Sequence, residues 1–127
     1  MDAPLIVTGL RGEARRIVTA DNTAEALGSG DVPVFGTPAV LAVIEESAVD
    51  AIRKQLPEGA TSVGVWVELE HLAPSKIGAE VVATSVLTAV EGRVLHFDCE
   101  AHDGDRLVAK AKHRRSLVTR DRWLAKV

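Results

Sequence analysis

The chain has little that would tie it together covalently or draw it to a charged polymer. Cys99 is the only cysteine in 127 residues, which excludes an intrachain disulfide and a cysteine-based metal site. Apolar runs are broken by charge within a few residues, far short of the roughly 20 that cross a bilayer as a helix. Aromatic residues make up 3% of the chain, too few for the stacking platforms of a cold-shock-like nucleic-acid binder. Basic residues are not in excess either: the formal net charge is −3, so nothing electrostatic recruits a phosphate backbone. Met1 to Leu10 lacks the basic start, long apolar centre and small-residue cleavage pattern of a secretory signal. The expected location is the cytoplasm.

What is present suits a folded core. Apolar residues account for 46% and charged residues for 26%, ordinary values for one globular domain, here residues 1–127. The β-branched stretch Ile17-Val18-Thr19, within Gly12 to Ala20, predicts a first strand. Asp21 to Pro33, rich in Gly, Ser, Asp and Asn, predicts a loop or irregular lid. Thr37-Pro38 then signals a helix start, threonine as N-cap and proline in the first turn. Between Pro38 and Leu56, helical spacing gathers Leu41, Ala48, Val49, Ile52 and Leu56 on one arc, with Glu46, Asp50, Arg53 and Lys54 on another. Pro57 and Gly59 end the helix.

From there the period is two. Val63, Val65, Val67 and Leu69 alternate with polar or small residues as far as His71, and Glu80 to Val90 is rich in Val and Thr. Leu95, Phe97, Cys99 and Ala101 then form one face of a strand that also makes Cys99 a core residue. After turns at Glu91-Gly92 and Asp103-Gly104-Asp105, Arg106 to Thr119 forms a last strand. In it Leu107, Ala109, Ala111, His113, Arg115 and Leu117 share one face, with Lys110, Lys112 and Arg114 on the other. The order β-α-β-β-β-β is an α+β hot-dog arrangement, one long helix wrapped by an antiparallel sheet. Such a sheet leaves open edges that a second copy would cover, so a homodimer is expected.

A few residues break these patterns in ways that suggest chemistry. Glu45 falls within the apolar arc of the helix, where a carboxylate must be paired, hydrogen-bonded or functional; the competing reading is a helix-edge glutamate reaching water. His71 ends the inward series of its strand, a place for either a structural or a catalytic imidazole. Thr37 is most simply a cap, although a hydroxyl beside helix N-terminal amides also suits an oxyanion. Gly64 implies a bulge or a ligand pressed against the backbone. Arg115, on the apolar side, needs an anionic partner. Trp66 and Trp123 read as packing or interface residues. Neither Glu45 nor His71 has a second histidine or cysteine at ligand spacing, so no metal is expected.

These residues also carry a resemblance. Val34-Phe35-Gly36-Thr37 with Glu45 eight residues on, Gly64, His71, Pro74, Glu91-Gly92-Arg93, Ala101-His102-Asp103-Gly104, and His113 with Arg115 resemble the hot-dog thioesterases related to fluoroacetyl-CoA thioesterase, over roughly Val32 to Val118. The resemblance implies hydrolysis of an acyl-CoA, with Thr37, Glu45 and His71 catalytic and Gly64 and Arg115 binding substrate. It implies no cofactor, coenzyme A arriving as part of the substrate. Two departures matter. The phenylalanine-bearing lid of the fluoroacetyl-specific members is replaced by Leu27-Gly28-Ser29-Gly30-Asp31. Pro38, which has no N–H, follows the threonine where that pattern has glycine, leaving Ala39 or Val40 as helix-end donors. The rival expectations are an acyl-CoA-binding dimer without turnover and a hot-dog hydratase or dehydratase.

Overall fold

The computed structural model describes residues 6–127. The first five residues of the expected domain, and of the stretch read for a secretory signal, lie outside the described residues. Five strands form one antiparallel sheet in the order β1-β3-β4-β5-β2: β1 Arg11–Ile17, β2 Ala60–His71, β3 Glu80–Glu91, β4 Val94–Asp103 and β5 Arg106–Thr119. The long helix α2, Thr37–Ile52, crosses the inner face of the sheet and packs chiefly on β1 and β3. This is the hot-dog fold, α+β. A helical turn α1, Ala24–Leu27, precedes α2, a 3-10 turn Arg53–Gln55 follows it, and α3, Arg120–Leu124, trails β5. The expected loop at Asp21 to Pro33 thus contains one turn of helix, capped by Thr23 Oγ1 accepting from the Ala26 amide. The first strand ends at Ile17 rather than running on through Thr19.

Period-two residues of β3 and β4 meet the helix. Val81, Ala83, Leu87, Leu95, Phe97, Cys99 and Ala101 are buried with Val40, Val43, Ile44, Ala48, Ala51 and Ile52 of α2. Each fully buried Val, Leu, Ile or Phe contributes about 1.5–3 kcal/mol. Burial also raises the pKa of the Cys99 thiol, as expected of a core cysteine.

The helix is rotated from the phase its strongest apolar arc predicts. Its buried stripe runs through Val43, Ser47 and Ala51, while Leu41, Glu45 and Val49 lie half-buried on its flank. Two contacts select this rotation. Gly12 of β1 lies so close that a β-carbon there would stand 2.1 Å from the Ser47 carbonyl oxygen and 2.3 Å from the Ala51 nitrogen. On the same side, Ser47 Oγ and Ser85 Oγ are 2.5 Å apart, and Ser85 Oγ donates to Cys99 Sγ at 3.2 Å. With Ala and Val on every side, helical periodicity alone permits several phases.

Bulges reset three strands, the one in β3 leaving Thr88 between Leu87 and Ala89. In β2, Gly64 pairs with Arg115 and Trp66 with Arg114, leaving Val65 between them. Gly64 therefore faces inward with Val67, Leu69 and His71, against the strict alternation expected of Val63 and Val65. In β5, Ala101 pairs with Ala109 and His102 with Leu107, so Val108 is the extra residue. Val108 is fully buried, and Leu107 belongs to the opposite face from Ala109.

Candidate active site

The inner polar groups fall into two clusters. The first joins the start of α2 to the end of β2: Thr37 Oγ1 lies 2.8 Å from His71 Nδ1. Thr37 reaches the ring because it does not cap the helix. Gly36, in extended conformation, is the N-cap, with no side-chain capping bond, and Thr37 opens the first turn. The Ala39 and Val40 amides both donate to the Gly36 carbonyl, so neither supplies the free helix-end donor expected of them. Pro38 has no N–H, which leaves the Thr37 amide as the one donor of that turn without a backbone acceptor among the described residues.

Burial lowers the His71 pKa below the ordinary histidine value, opposed by the Ala73 backbone carbonyl. The ring is therefore mainly neutral at pH 7, and its Nδ1 shares one hydrogen bond with the Thr37 hydroxyl, accepting in the Nε2–H tautomer and donating in the other. Nε2 is buried without a hydrogen-bond partner of acceptable geometry. In the Nε2–H tautomer the ring accepts from that hydroxyl, the arrangement that makes a hydroxyl more nucleophilic.

The second cluster centres on Arg115, 7% exposed. Its Nη1 donates to Glu45 Oε2 at 3.2 Å and lies 3.1 Å from His113 Nε2. Its Nε donates to Ser62 Oγ at 2.9 Å and its Nη2 to the Ser62 carbonyl at 3.2 Å. Burial lowers the Arg115 pKa and Glu45 opposes the shift; the guanidinium stays charged. His113 Nδ1 lies 2.8 Å from the Trp66 carbonyl. Glu45 itself is half-buried, and Gly64 lies under its carboxylate.

All five residues expected from the sequence thus line the inner side of the α2–β2–β5 seam, but one chain does not assemble them into one site. Thr37 and Glu45 are eight residues apart on α2, about 12 Å along its axis at 1.5 Å per residue. Glu45, Gly64 and Arg115 meet; Thr37 and His71 meet elsewhere. Ser62 and His113 join the second cluster although neither was assigned a role. For His113 the signal was present, since it shares the Arg115 face two residues away.

A surface hollow of about 390 Å³ on the outer side of the sheet offers no comparable chemistry. Its lysines Lys110 and Lys112 already pair with Glu70 and Asp98.

Fold and inner polar seam together define a hot-dog domain of the thioesterase kind. Residues 18–121 match the family described as fluoroacetyl-CoA-specific thioesterase (FlK), and the chain belongs to that family. A relative named fluoroacetyl-CoA thioesterase, from Streptantibioticus cattleyicolor, is 32% identical over 94 residues, which are 74% of this chain and 68% of the relative. A solved structure of fluoroacetyl-CoA thioesterase superposes with a TM-score of 0.87 at 28% identity, covering 95% of this chain and 94% of that one. A hot-dog-like protein from Thermanaerovibrio acidaminovorans reaches a TM-score of 0.88 at 28% identity, covering 99% of this chain and 94% of its own.

Proposed function

We propose that this protein is an acyl-CoA thioesterase, acting as a homodimer in the cytoplasm on a small or modest-sized acyl group and releasing free acid and coenzyme A. The observation that carries the reading is the Thr37 hydroxyl held 2.8 Å from a neutral, partly buried imidazole, in a chain of a thioesterase family. Glu45 activates water or attacks the thioester carbonyl. His71 orients and shuttles the proton, and Thr37 positions the reacting groups or stabilises the oxyanion. Gly64 and Arg115 shape the acyl end. No metal or redox cofactor takes part, because thioester hydrolysis needs only water, a base and an oxyanion donor. Of the described residues, no helix is long and apolar enough to cross a membrane.

The homodimer reading has structural support in the contrast between the two sheet edges. At β1, the Glu13 amide is taken by Asp50 Oδ2 at 2.9 Å, and Arg11, Glu13 and Arg15 line the strand. Charges of this kind block strand addition. At β2, Val65, Trp66 and Val67 are exposed. Antiparallel pairing of two β2 strands about a two-fold axis between Val67 and Glu68, at the end of the exposed patch, sets His71 of one strand opposite Gly64 of the other. The Thr37–His71 pair of one protomer then faces the Glu45–Arg115 cluster of its partner, and two composite sites result.

The acyl preference follows from the bulky Val40, Leu41, Ile44 and Val67 near the seam; Val65, also expected there, is the exposed bulge residue of the β2 edge. With Leu27-Gly28-Ser29-Gly30-Asp31 in place of a phenylalanine lid, fluoroacetyl selectivity is not part of the proposal. Thiol release from a panel of acyl-CoAs tests it. Release from short acyl-CoAs is the expected result; a double-bond absorbance change without thiol marks a hydratase, and binding with neither marks a sensor. Hydrolysis confined to long-chain substrates would refute the acyl preference.

A further inference from the structure

His113 is 2% exposed and has no part in the reaction as described above. Its hydrogen bonds nevertheless leave it one protonation state. A guanidinium nitrogen can only donate, so His113 Nε2, 3.1 Å from Arg115 Nη1, must present its lone pair. A carbonyl can only accept, so Nδ1, 2.8 Å from the Trp66 oxygen, must carry the proton. The ring is neutral and of the Nδ1–H tautomer. Phe97 of β4 lies 6.2 Å away between ring centroids. The charged groups facing it are Arg115 of β5 and Glu45 of α2, whose Oε2 is 3.8 Å from Nε2. Trp66 is the residue that follows the bulge at Val65.

The same bonds account for the direction of Arg115. Ser62 holds Nε and Nη2 through its hydroxyl and carbonyl oxygens. Nη1 has two protons; His113 takes one, and one remains for Glu45 Oε2. Glu45 meets the guanidinium at one point, through Oε2, and its Oε1 has no protein partner among the described residues.

We propose that His113 is a positioning residue: by taking one proton of Arg115 Nη1 it aims the other at Glu45 Oε2, and so holds the carboxylate with Oε1 open to water or thioester. The proposal rests on Glu45 acting in hydrolysis as stated above. Glutamine at 113 places an amide oxygen near the Nε2 position and can accept from Arg115. Asparagine reaches only the Nδ1 position, and phenylalanine fills the space with neither group.

The test uses the full-length protein. Ring ¹⁵N spectra of the wild type should show His113 as the Nδ1–H tautomer at pH 7. H113F and H113N should each lower kcat about tenfold, the scale of one hydrogen bond, with KM nearly unchanged, and H113Q should recover most of the loss. A residue that merely fills space or anchors to Trp66 would be replaced as well by asparagine as by glutamine. An Nε2–H tautomer, or H113N matching H113Q, overturns the proposal. A wild type without thiol release removes the catalytic reading and this role with it, whereas failure of the His113 variants alone leaves the thioesterase standing. Should H113F not fold, H113Q against H113N and the spectra still decide.

Discussion

Glu45 and Gly64 meet so closely that a β-carbon on residue 64 would stand 2.6 Å from Glu45 Oε2, with His113 Cε1 at 3.3 Å and Arg115 Nη1 at 3.4 Å. The contact explains why a strand otherwise full of valine has glycine at this point. Gly64→Ala is expected to fold, because the carboxylate is the end of a flexible side chain and can move, and to lose most activity as Glu45 swings away. Gly12→Ala is the contrast: its β-carbon would stand 2.1 Å from a backbone oxygen of α2, which cannot swing. It should destabilise the fold by about 1–3 kcal/mol or more. Chemical denaturation and kinetics of the two variants, side by side, check both; equal stability losses would contradict the assignment.

Arg115 is held by protein on every nitrogen, by Ser62, Glu45 and His113. Arg115→Ala is therefore expected to lower stability, by about 1–3 kcal/mol for stranded hydrogen-bonding groups, alongside any rise in KM. Glu45→Ala removes only a half-buried acid and should leave a well-folded protein without turnover. Thermal melts of the two variants give the order; a melting temperature for Arg115→Ala equal to wild type would show that the guanidinium is not tied in as described.

Burial lowers the pKa of both His71 and His113, with the Arg115 charge adding to the depression at His113. The unfolded chain takes up protons on these rings near the ordinary value of about 6.5, whereas the native state does not until lower pH. The unfolded state thus binds more protons in that window, and native stability falls as pH drops below about 6.5. Denaturant melts at pH 7.5, 6.5 and 5.5 should show the loss, and His71→Asn should reduce its slope. The acid limb of kcat/KM should also have its midpoint below the free-histidine value. A midpoint above it would contradict a depressed His71.

A composite site makes a sharp mixing prediction. Thr37→Ala and Glu45→Ala homodimers should each be inactive. Exchanged subunits in equal amounts form half heterodimers, each with one intact site, so about a quarter of wild-type activity should return. Sites contained within one chain would give no recovery. Val65→Lys, which sets a charge on the open β2 edge, should produce a monomer of unchanged circular dichroism and little activity. Scattering that shows this variant still dimeric would move the interface elsewhere.

The strands were legible in the sequence because a two-residue period and short turns are local properties: Leu95, Phe97, Cys99 and Ala101 could share only one face, and Glu91-Gly92 and Gly104-Asp105 could only turn the chain. The start of α2 near Pro38 was legible for the same reason. Candidate polar residues could be named, because Glu45, His71 and Arg115 each interrupt an apolar pattern. Their partners could not. The phase of α2 depended on the close approach of Gly12 to Ser47 and Ala51, a contact between residues far apart in sequence. The bulge at Val65 brought Gly64 inward, and the one at Val108 moved Leu107 outward, because register is set by pairing across strands. Thr37 was left free for His71 because Gly36 took the capping position. His113 acquired its fixed tautomer only when Trp66 and Arg115 came to opposite sides of one ring. Periodicity specifies which face a side chain is on; which atoms meet across that face is decided by packing between distant segments.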